Sequence, residues 1–181
     1  MTQEEFSATV HRWYDPLYRF ALALCKDPDN ALDLTQNAFQ KLAKHSHTLK
    51  KQNKVKSWLF SVLHREFIDE YRHATRYPKT SLELAGPLPA ENTVDHAIAI
   101  DAQEMLLALN RLETKFRAPL SLFYIEDFSY KEIAHTLDIP IGTVMSRLRR
   151  AKDHLRAILD NHEATHSSSP TVNFPRKTHN G

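Results

Sequence analysis

The stretch 129–152 constrains the fold of this chain more than any other part of its sequence. Ser129 and Glu132 have the spacing of a capping box, in which the hydroxyl and the carboxylate bind free backbone amides at a helix start. A turn is expected at 138–142, because its proline restricts the preceding residue to extended geometry and its glycine permits a tight bend. A second helix is expected from about Thr143. The pattern therefore predicts two short helices joined by a tight turn.

The second of these helices is predicted to be apolar on one face and basic on the other. The inward positions are Val144, Leu148, Ala151 and Leu155, and the outward ones are Ser146, Arg147, Arg149 and Arg150. A solvated surface hairpin is the simpler interpretation, since charge runs are usually solvent faces. Most of the outer charge is cationic, however, and cations suit phosphates and guanine edges. The stretch therefore favours a DNA-binding helix-turn-helix.

The composition gives little support to an enzyme. Only 3 of the 181 residues are glycine, so neither common glycine-rich phosphate loop can be written. No serine, histidine and acid constellation stands out, and no metal-ligand spacing does either. The histidines are expected to be scattered surface residues, and the single cysteine, Cys25, is expected to be a core residue without a disulfide. The sequence therefore predicts no cofactor and no metal.

The chain begins with a polar stretch and has no apolar run long enough to span a bilayer. A soluble cytoplasmic protein without membrane insertion is therefore expected. The net charge is only +2 but is unevenly distributed. The stretch 41–79 is mostly basic and the stretch 81–113 is mostly acidic, so the basic part is the better candidate for an anionic partner.

Apolar residues at helical spacing predict an all-α protein of two small domains. The first domain, 1–76, has helical stripes along 6–24, 31–42 and 55–71, and Asp15 and Pro16 either begin a helix or kink one. The prolines and glycine of 77–93 predict a flexible, extended linker. The second domain, 94–161, adds two helices, 94–112 and 114–126, as a packing surface for the helix-turn-helix. The tail 162–181 lacks periodicity and is predicted to be disordered.

Three motifs in this order resemble those of bacterial RNA polymerase sigma factors of the extracytoplasmic-function (ECF) type, which keep only the second and fourth conserved regions. The resemblance covers roughly 6–159. The stretch 33–36 with Phe39 is similar to the polymerase-binding motif of region two. The stretches 58–63 and 67–72 are similar to the helix that melts the promoter and reads its minus-ten element. The stretches 128–134 and 139–151 are similar to the region-four helix-turn-helix.

The resemblance implies a role for each matching residue. Four would bind the clamp helices of the largest polymerase subunit: Asp33, Leu34, Gln36 and Phe39. Seven would bind the minus-ten DNA, with the loop 50–53 holding a flipped base: Lys50, Lys51, Asn53, Lys54, Lys56, Arg65 and Arg72. Five would enter the major groove of the minus-thirty-five element: Thr143, Ser146, Arg147, Arg149 and Arg150. Leu32, Asn37 and Met145 depart from the family's usual residues, the last of them on the recognition helix.

A sigma factor, which is not an enzyme, is therefore the leading interpretation, with core RNA polymerase and promoter DNA as partners. The resemblance also leaves room for an anti-sigma factor. The alternative is a stand-alone helix-turn-helix regulator that binds duplex DNA as a dimer, although no dimerisation heptad is visible. A helical adaptor is a third class, and nothing in the sequence specifically supports it.

Overall fold

The computed structural model describes residues 1–45, 52–76 and 109–163, without the side chains of 52, 53 and 158–163. These ranges form an all-α fold, as predicted, and contain no strand. Its helices are α1 (Gln3–Cys25), α2 (Pro28–His45), α3 (Gln52–Arg76), α4 (Thr114–Tyr124), α5 (Tyr130–Leu137) and α6 (Ile141–Glu163). We call α1–α3 the amino-terminal half and α4–α6 the carboxy-terminal half. The predicted linker 77–93, most of the helix predicted at 94–112 and the tail beyond 163 lie outside the described residues.

The amino-terminal half is a three-helix bundle that begins with a capping box between Thr2 and Glu5. Helix α1 continues through Pro16, so the alternative in which Asp15 and Pro16 begin a helix is wrong. The helix ends where Lys26 takes a left-handed conformation, with φ 62°. The three helices bury the predicted stripes against one another, including Leu17, Phe20, Leu24, Leu34, Leu42, Leu59 and Leu63. Burial of these side chains stabilises the bundle by roughly 1.5–3 kcal/mol each.

The helix-turn-helix lies in the carboxy-terminal half as α5 and α6. The predicted capping box at its start is confirmed, because Ser129 and Glu132 exchange hydrogen bonds between side chain and backbone. The prediction for the bend was wrong in two details. The left-handed residue is Asp138, with φ 54°, and aspartate is among the few side chains that tolerate this region. Gly142 therefore lies within the first turn of α6, which begins at Ile141, two residues before the expected start.

The two halves pack against each other, with α4 on α1 and α5 on α3. Phe60 of α3 and Phe128, just before α5, are both about 1% exposed or less, and their ring centroids are 5.0 Å apart. The described parts of the two predicted domains therefore share one continuous apolar core. Arg147 of α6 is close enough to His64 of α3 for its charge to act on that imidazole.

Candidate nucleic-acid interface

The amino-terminal turns of α6 present a polar surface over a buried seam. Val144 and Leu148 are buried, while Ser146 is exposed and its hydroxyl donates to the Thr143 carbonyl at 3.0 Å. Arg149 is exposed one turn further along, as is its neighbour Arg150, while Thr143 is half-buried. Of the five residues predicted for the major groove, these four are accessible on α6. Unpaired amides at a helix start also attract phosphate.

Arg147, the fifth residue, is half-buried. Its guanidinium is close enough to His64 of α3 to influence that imidazole. Burial, together with the charges of Arg147 and Arg65, lowers the pKa of His64 from 6.5 to about 4. Charged His64 is disfavoured because it would be a third cation among two arginines in a partly desolvated place. Arg147 and Arg65 therefore belong to one cationic region that spans both halves.

Helix α3 carries a row of exposed cations along one side. Lys54, Arg65 and Arg72 are exposed, as predicted for residues that would follow a DNA backbone. Spacings of 11 and 7 residues correspond to about three and two helical turns, so the three lie on one face. Arg76 is also exposed and continues the row, which its spacing of 11 residues from Arg65 could have indicated. Lys50, Lys51 and the side chain of Asn53 lie outside the described residues.

Tyr71 was predicted as part of the apolar stripe of α3, and this prediction was wrong. Its side chain is 61% exposed, because the end of α3 extends past the buried part of the bundle. The ring stacks on that of Phe67, with centroids 6.1 Å apart and planes 28° apart. An exposed ring beside Arg72 offers a stacking surface for a nucleobase.

Lys56 lies in the contact between the two halves rather than on the open face of α3. Its ammonium donates to the Glu126 carbonyl at 2.7 Å and lies 4.2 Å from the centre of the Phe128 ring. It also lies 5.5 Å from the ring of Trp13. Burial lowers the pKa of Lys56 despite the nearby acids Glu132, Glu126 and Asp127. The predicted DNA contact of Lys56 is therefore occupied by protein in this structure.

A buried arginine joins the two halves at the end of α1. Arg117 of α4 is 2% exposed. Its guanidinium donates to the carbonyls of Ala23 and Leu24 in α1, the latter at 2.8 Å. It also donates to the Leu112 carbonyl at 2.7 Å and to the Thr114 hydroxyl at 3.3 Å. Burial lowers its pKa to about 10, yet it stays cationic at neutral pH and suits the negative end of the α1 dipole.

A second polar contact lies beside Lys56. Arg19 of α1 pairs with Glu126 at 3.2 Å, and the Glu126 side chain is only 4% exposed. Burial raises the pKa of Glu126, although Arg19 acts in the opposite direction. We call the contacts of Arg117, Lys56 and Glu126, together with the Phe60–Phe128 pair, the docking interface. It holds the halves together through residues far apart in sequence.

The residues predicted to bind polymerase divide into two kinds on α2. Asp33 and Gln36 are exposed and less than one helical turn apart. Leu34 and Phe39 are buried, at 1% and 7% exposure, so their side chains belong to the core. Both side chains pack inside the protein in this structure, and the partner contact predicted for them stays a prediction. They hold α2 in place so that the exposed pair faces outward.

An acidic residue of α3 lies close to this exposed pair, and sequence reasoning did not single it out. Burial raises the pKa of Glu70, and the charges of Glu66 and Asp33 raise it further. Glu66 in turn binds Lys41 of α2. The surface around Asp33 is therefore more acidic than α2 alone provides. Finding Glu70 requires knowing how α3 packs against α2, and the sequence alone does not give that packing.

Within the described ranges, no set of three His, Cys, Asp or Glu side chains is arranged to hold a metal ion. None of the helices described has the length and apolar character needed to cross a bilayer. Cys25 is half-buried, and its thiol donates to the Ala21 carbonyl at 3.1 Å. Burial raises the pKa of this thiol, which disfavours a reactive thiolate.

Comparison with known proteins gives consistent similarities for both halves. The family model for Sigma-70 region 2 matches residues 9–77, and that for Sigma-70, region 4 matches residues 102–155. The chain is 32% identical to the ECF RNA polymerase sigma factor SigM of Bacillus subtilis, over 82% of this chain and 92% of the relative. It is 31% identical to the ECF RNA polymerase sigma factor SigE of Mycolicibacterium smegmatis, over 88% of this chain and 63% of that relative.

A solved structure is similar over most of the chain. It is the co-crystal structure of the sigma factor RpoE in complex with the anti-sigma factor NepR from Bartonella quintana. The TM-score is 0.71 at 26% sequence identity, and the match covers 87% of this chain and 98% of the other. The similarity therefore includes both halves of the fold.

Proposed function

The chain belongs to the ECF sigma factors, and from this membership we propose that it binds core RNA polymerase and directs initiation at specific promoters. The observation that carries the proposal is the division of exposed polar residues between two halves. The amino-terminal half offers an acidic and amide pair on α2 and a cationic row on α3. The carboxy-terminal half offers a cationic recognition helix. Two separate contacts with DNA are what a two-element promoter requires.

Helix α2 would bind the clamp helices of the largest polymerase subunit through Asp33 and Gln36. Both side chains are exposed, and the buried Leu34 and Phe39 fix the helix beneath them. The nearby Glu70 adds negative charge to this surface. The exposed acids Asp33 and Glu70 would mainly set the orientation and the rate of association with polymerase. The side-chain amide of Gln36 would supply a directional hydrogen bond.

Helix α3 would hold the minus-ten DNA. Lys54, Arg65 and Arg72 would follow the backbone, with Arg76 extending the row and Tyr71 offering a stacking surface. The stretch 50–53, expected as a loop but with its last two residues at the start of α3, would receive a flipped base through Lys50, Lys51 and Asn53. Extruding a base costs a few kcal/mol, so cations and a stacking ring that favour single strands assist promoter opening. Lys56 would join this surface once it leaves Glu126.

Helix α6 would enter the major groove of the minus-thirty-five element. Arg149 and Arg150 can form bidentate contacts with guanine, and Ser146 and Thr143 can bind bases or phosphate. Arg147 would join them once it is turned away from His64. The exposed cations and the free amides at the helix start support this assignment.

A protein with this function acts as a non-enzymatic specificity subunit in the cytoplasm, where polymerase and chromosome are. The similar RpoE was solved in complex with an anti-sigma factor. An anti-sigma factor is accordingly a further proposed partner of this chain. The similarity of RpoE over both halves supports that proposal.

Binding to purified core RNA polymerase tests the proposed function. We expect saturable binding, weakened about tenfold or more by Asp33→Ala or Gln36→Ala, because each removes an exposed contact without disturbing the core. Asp29→Ala is the matched control, since Asp29 is an exposed acid one turn earlier on α2. Run-off transcription from genomic fragments should then locate discrete start sites.

Two results would contradict the proposal. One is equal core affinity for the wild type, the two variants and the control. The other is tight binding of duplex DNA at two-fold symmetric sites without polymerase, which is the behaviour of a stand-alone regulator.

A further inference from the structure

Two large apolar side chains are exposed at the amino-terminal end of α6. Ile141 is 44% exposed and Met145, one turn further along, is 54% exposed. The other apolar side chains in the same part of the helix, Val144 and Leu148, are 0% and 3% exposed. Exposure of Ile141 and Met145 is therefore not explained by packing within the half. It costs hydration free energy unless a partner covers the side chains.

The surroundings of Met145 identify the kind of partner. Arg149 lies one turn away, about 40° around the helix axis, and Ser146 about 100° away. Both are exposed. Gly142, on the adjacent turn, has no atom within 4 Å of the position where a Cβ would stand. The apolar pair is thus bordered by a cation, a hydroxyl and open space at a helix start. This border suits a duplex groove better than an apolar protein surface, since unpaired arginine is costly to bury against protein.

We infer that Met145, with Ile141 beside it, reads the methyl group of a thymine in the minus-thirty-five element. The inference rests on the proposed function, which places α6 in the major groove. The thymine methyl is the apolar feature that bases display there, and apolar side chains read it by contact. Methionine suits this task because its unbranched thioether adapts to the position of the methyl. Met145 then selects a T·A pair, while the arginines select guanines or hold phosphates.

Replacement of thymine by uracil tests this inference, because uracil pairs identically and lacks only the methyl. The experiment uses holoenzyme reconstituted from core polymerase and the full chain, on a promoter located by run-off transcription. Each thymine of the minus-thirty-five element, on either strand, is replaced singly. We expect one position at which uracil weakens promoter binding about three- to fivefold, as for loss of one buried methyl.

Substitutions of Met145 test whether its side chain contacts the thymine at that position. With Met145→Ala, the same uracil substitution should have no further effect, because the contact is already absent. Met145→Leu should keep the uracil effect, since an apolar side chain of similar volume remains. Ile125→Ala is the matched control, because Ile125 is 42% exposed but lies outside α6. It should leave the uracil effect unchanged.

Three results would overturn the inference while leaving the proposed function intact. One is a minus-thirty-five element in which no thymine responds to uracil, or which contains none. Another is the same uracil effect in wild type and in Met145→Ala. The third is weaker binding of Met145→Ala to core polymerase with an unchanged uracil effect, which would assign Met145 to a protein contact. Failure of the proposed function differs from all three, because holoenzyme would then initiate nowhere.

Discussion

Gly142 shows how a single residue serves the chain differently from its apparent role in the sequence. Its place after Pro140 suggested a tight bend, yet the bend is made by Asp138 and Gly142 lies in the first turn of α6. Nothing stands within 4 Å of its missing Cβ, and it has no positive φ. The protein fold therefore does not require glycine here. A close approach of DNA to the start of the recognition helix would require it.

Gly142→Ala separates these two requirements. We expect the free energy of unfolding to stay the same or rise by about 0.5 kcal/mol, because alanine loses less backbone entropy on folding. Promoter binding by the holoenzyme should weaken, because the added methyl would meet a phosphate or sugar. Chemical denaturation and promoter titration measure the two effects. Unchanged promoter binding would show that DNA stays clear of this turn.

At the residue scale, the sequence predicted those features that depend on side chains only a few positions apart. The hydroxyl and carboxylate of Ser129 and Glu132 predict a helix start because both partners lie within four residues. The left-handed Asp138 was not predicted, since aspartate tolerates this conformation without requiring it. Exposure of Tyr71 was also missed, because periodicity gives the face of a helix but not where the neighbouring helices end.

At the scale of elements, His64 of α3 senses the charge of Arg147 on α6. The imidazole is held near Arg147 of α6 and Arg65 of its own helix, and its pKa is lowered to about 4. The docked state therefore carries neutral His64 at physiological pH. If the halves separate, His64 gains water and loses the charge of Arg147, and its pKa should return towards 6.5.

This contact makes docking sensitive to acid. The folded pKa is below the ordinary value, so between pH 6.5 and 4 the separated or unfolded state binds a proton that the docked state does not. Docking should therefore lose stability as the pH falls through this range, and should not change through His64 above it. An NMR titration of the His64 imidazole should give a pKa well below 6.5. In Arg147→Ala the pKa should rise, since one neighbouring cation is removed.

Arg150→Ala is the matched control for this titration. Arg150 is an exposed arginine on the same helix and does not contribute to the His64 shift. The His64 pKa should stay low in that variant. An ordinary pKa in the wild type would contradict the burial of His64 in the docked state.

Helices were predicted well because each carries its own apolar stripe, as α2 does from Ala31 to Leu42. Contacts between helices were not predicted. Lys56 and Glu126 are 70 residues apart in sequence, and no local pattern links them. The resemblance to ECF sigma factors assigned Lys56 to the minus-ten DNA. The structure shows the same charge bound to a backbone carbonyl and two aromatic rings.

On the scale of the whole molecule, the docking interface decides how the two halves are presented. Arg117 is its most buried polar member, with donors directed to carbonyls of α1 and to its own half. Removing the guanidinium leaves those carbonyls without their donor in a desolvated place. Each such group costs about 1–3 kcal/mol. The interface is therefore expected to depend strongly on this side chain.

Arg117→Ala should separate the halves. We expect small-angle X-ray scattering to give a larger radius of gyration for this variant than for the wild type, with helical circular dichroism largely kept. Lys115→Ala is the matched control, because Lys115 is an exposed cation of the same helix that pairs with Glu113 and lies over the ring of Phe116, both within three residues of it. It should keep the wild-type dimensions.

Arg117→Ala could unfold the whole protein, so a milder substitution in the docking interface provides a second test. Arg19→Ala removes only the partner of Glu126, and Arg19 is 51% exposed, so each half should keep its core. Partial expansion is expected. Wild-type dimensions in both variants would mean that the apolar contact of Phe60 with Phe128 holds the halves without help from the polar groups.

Lys56 cannot bind Glu126 and promoter DNA at the same time, so docking of the two halves lowers the apparent affinity of the chain for DNA. A chain whose binding-competent form is a minor population binds its ligand more weakly by the fraction of time spent in that form. A docking preference of about 3 kcal/mol would reduce apparent DNA affinity roughly a hundredfold. Polymerase would restore the full DNA affinity by holding the halves apart. Free chains would then leave the chromosome unoccupied, and sequence reading would be confined to the assembled enzyme.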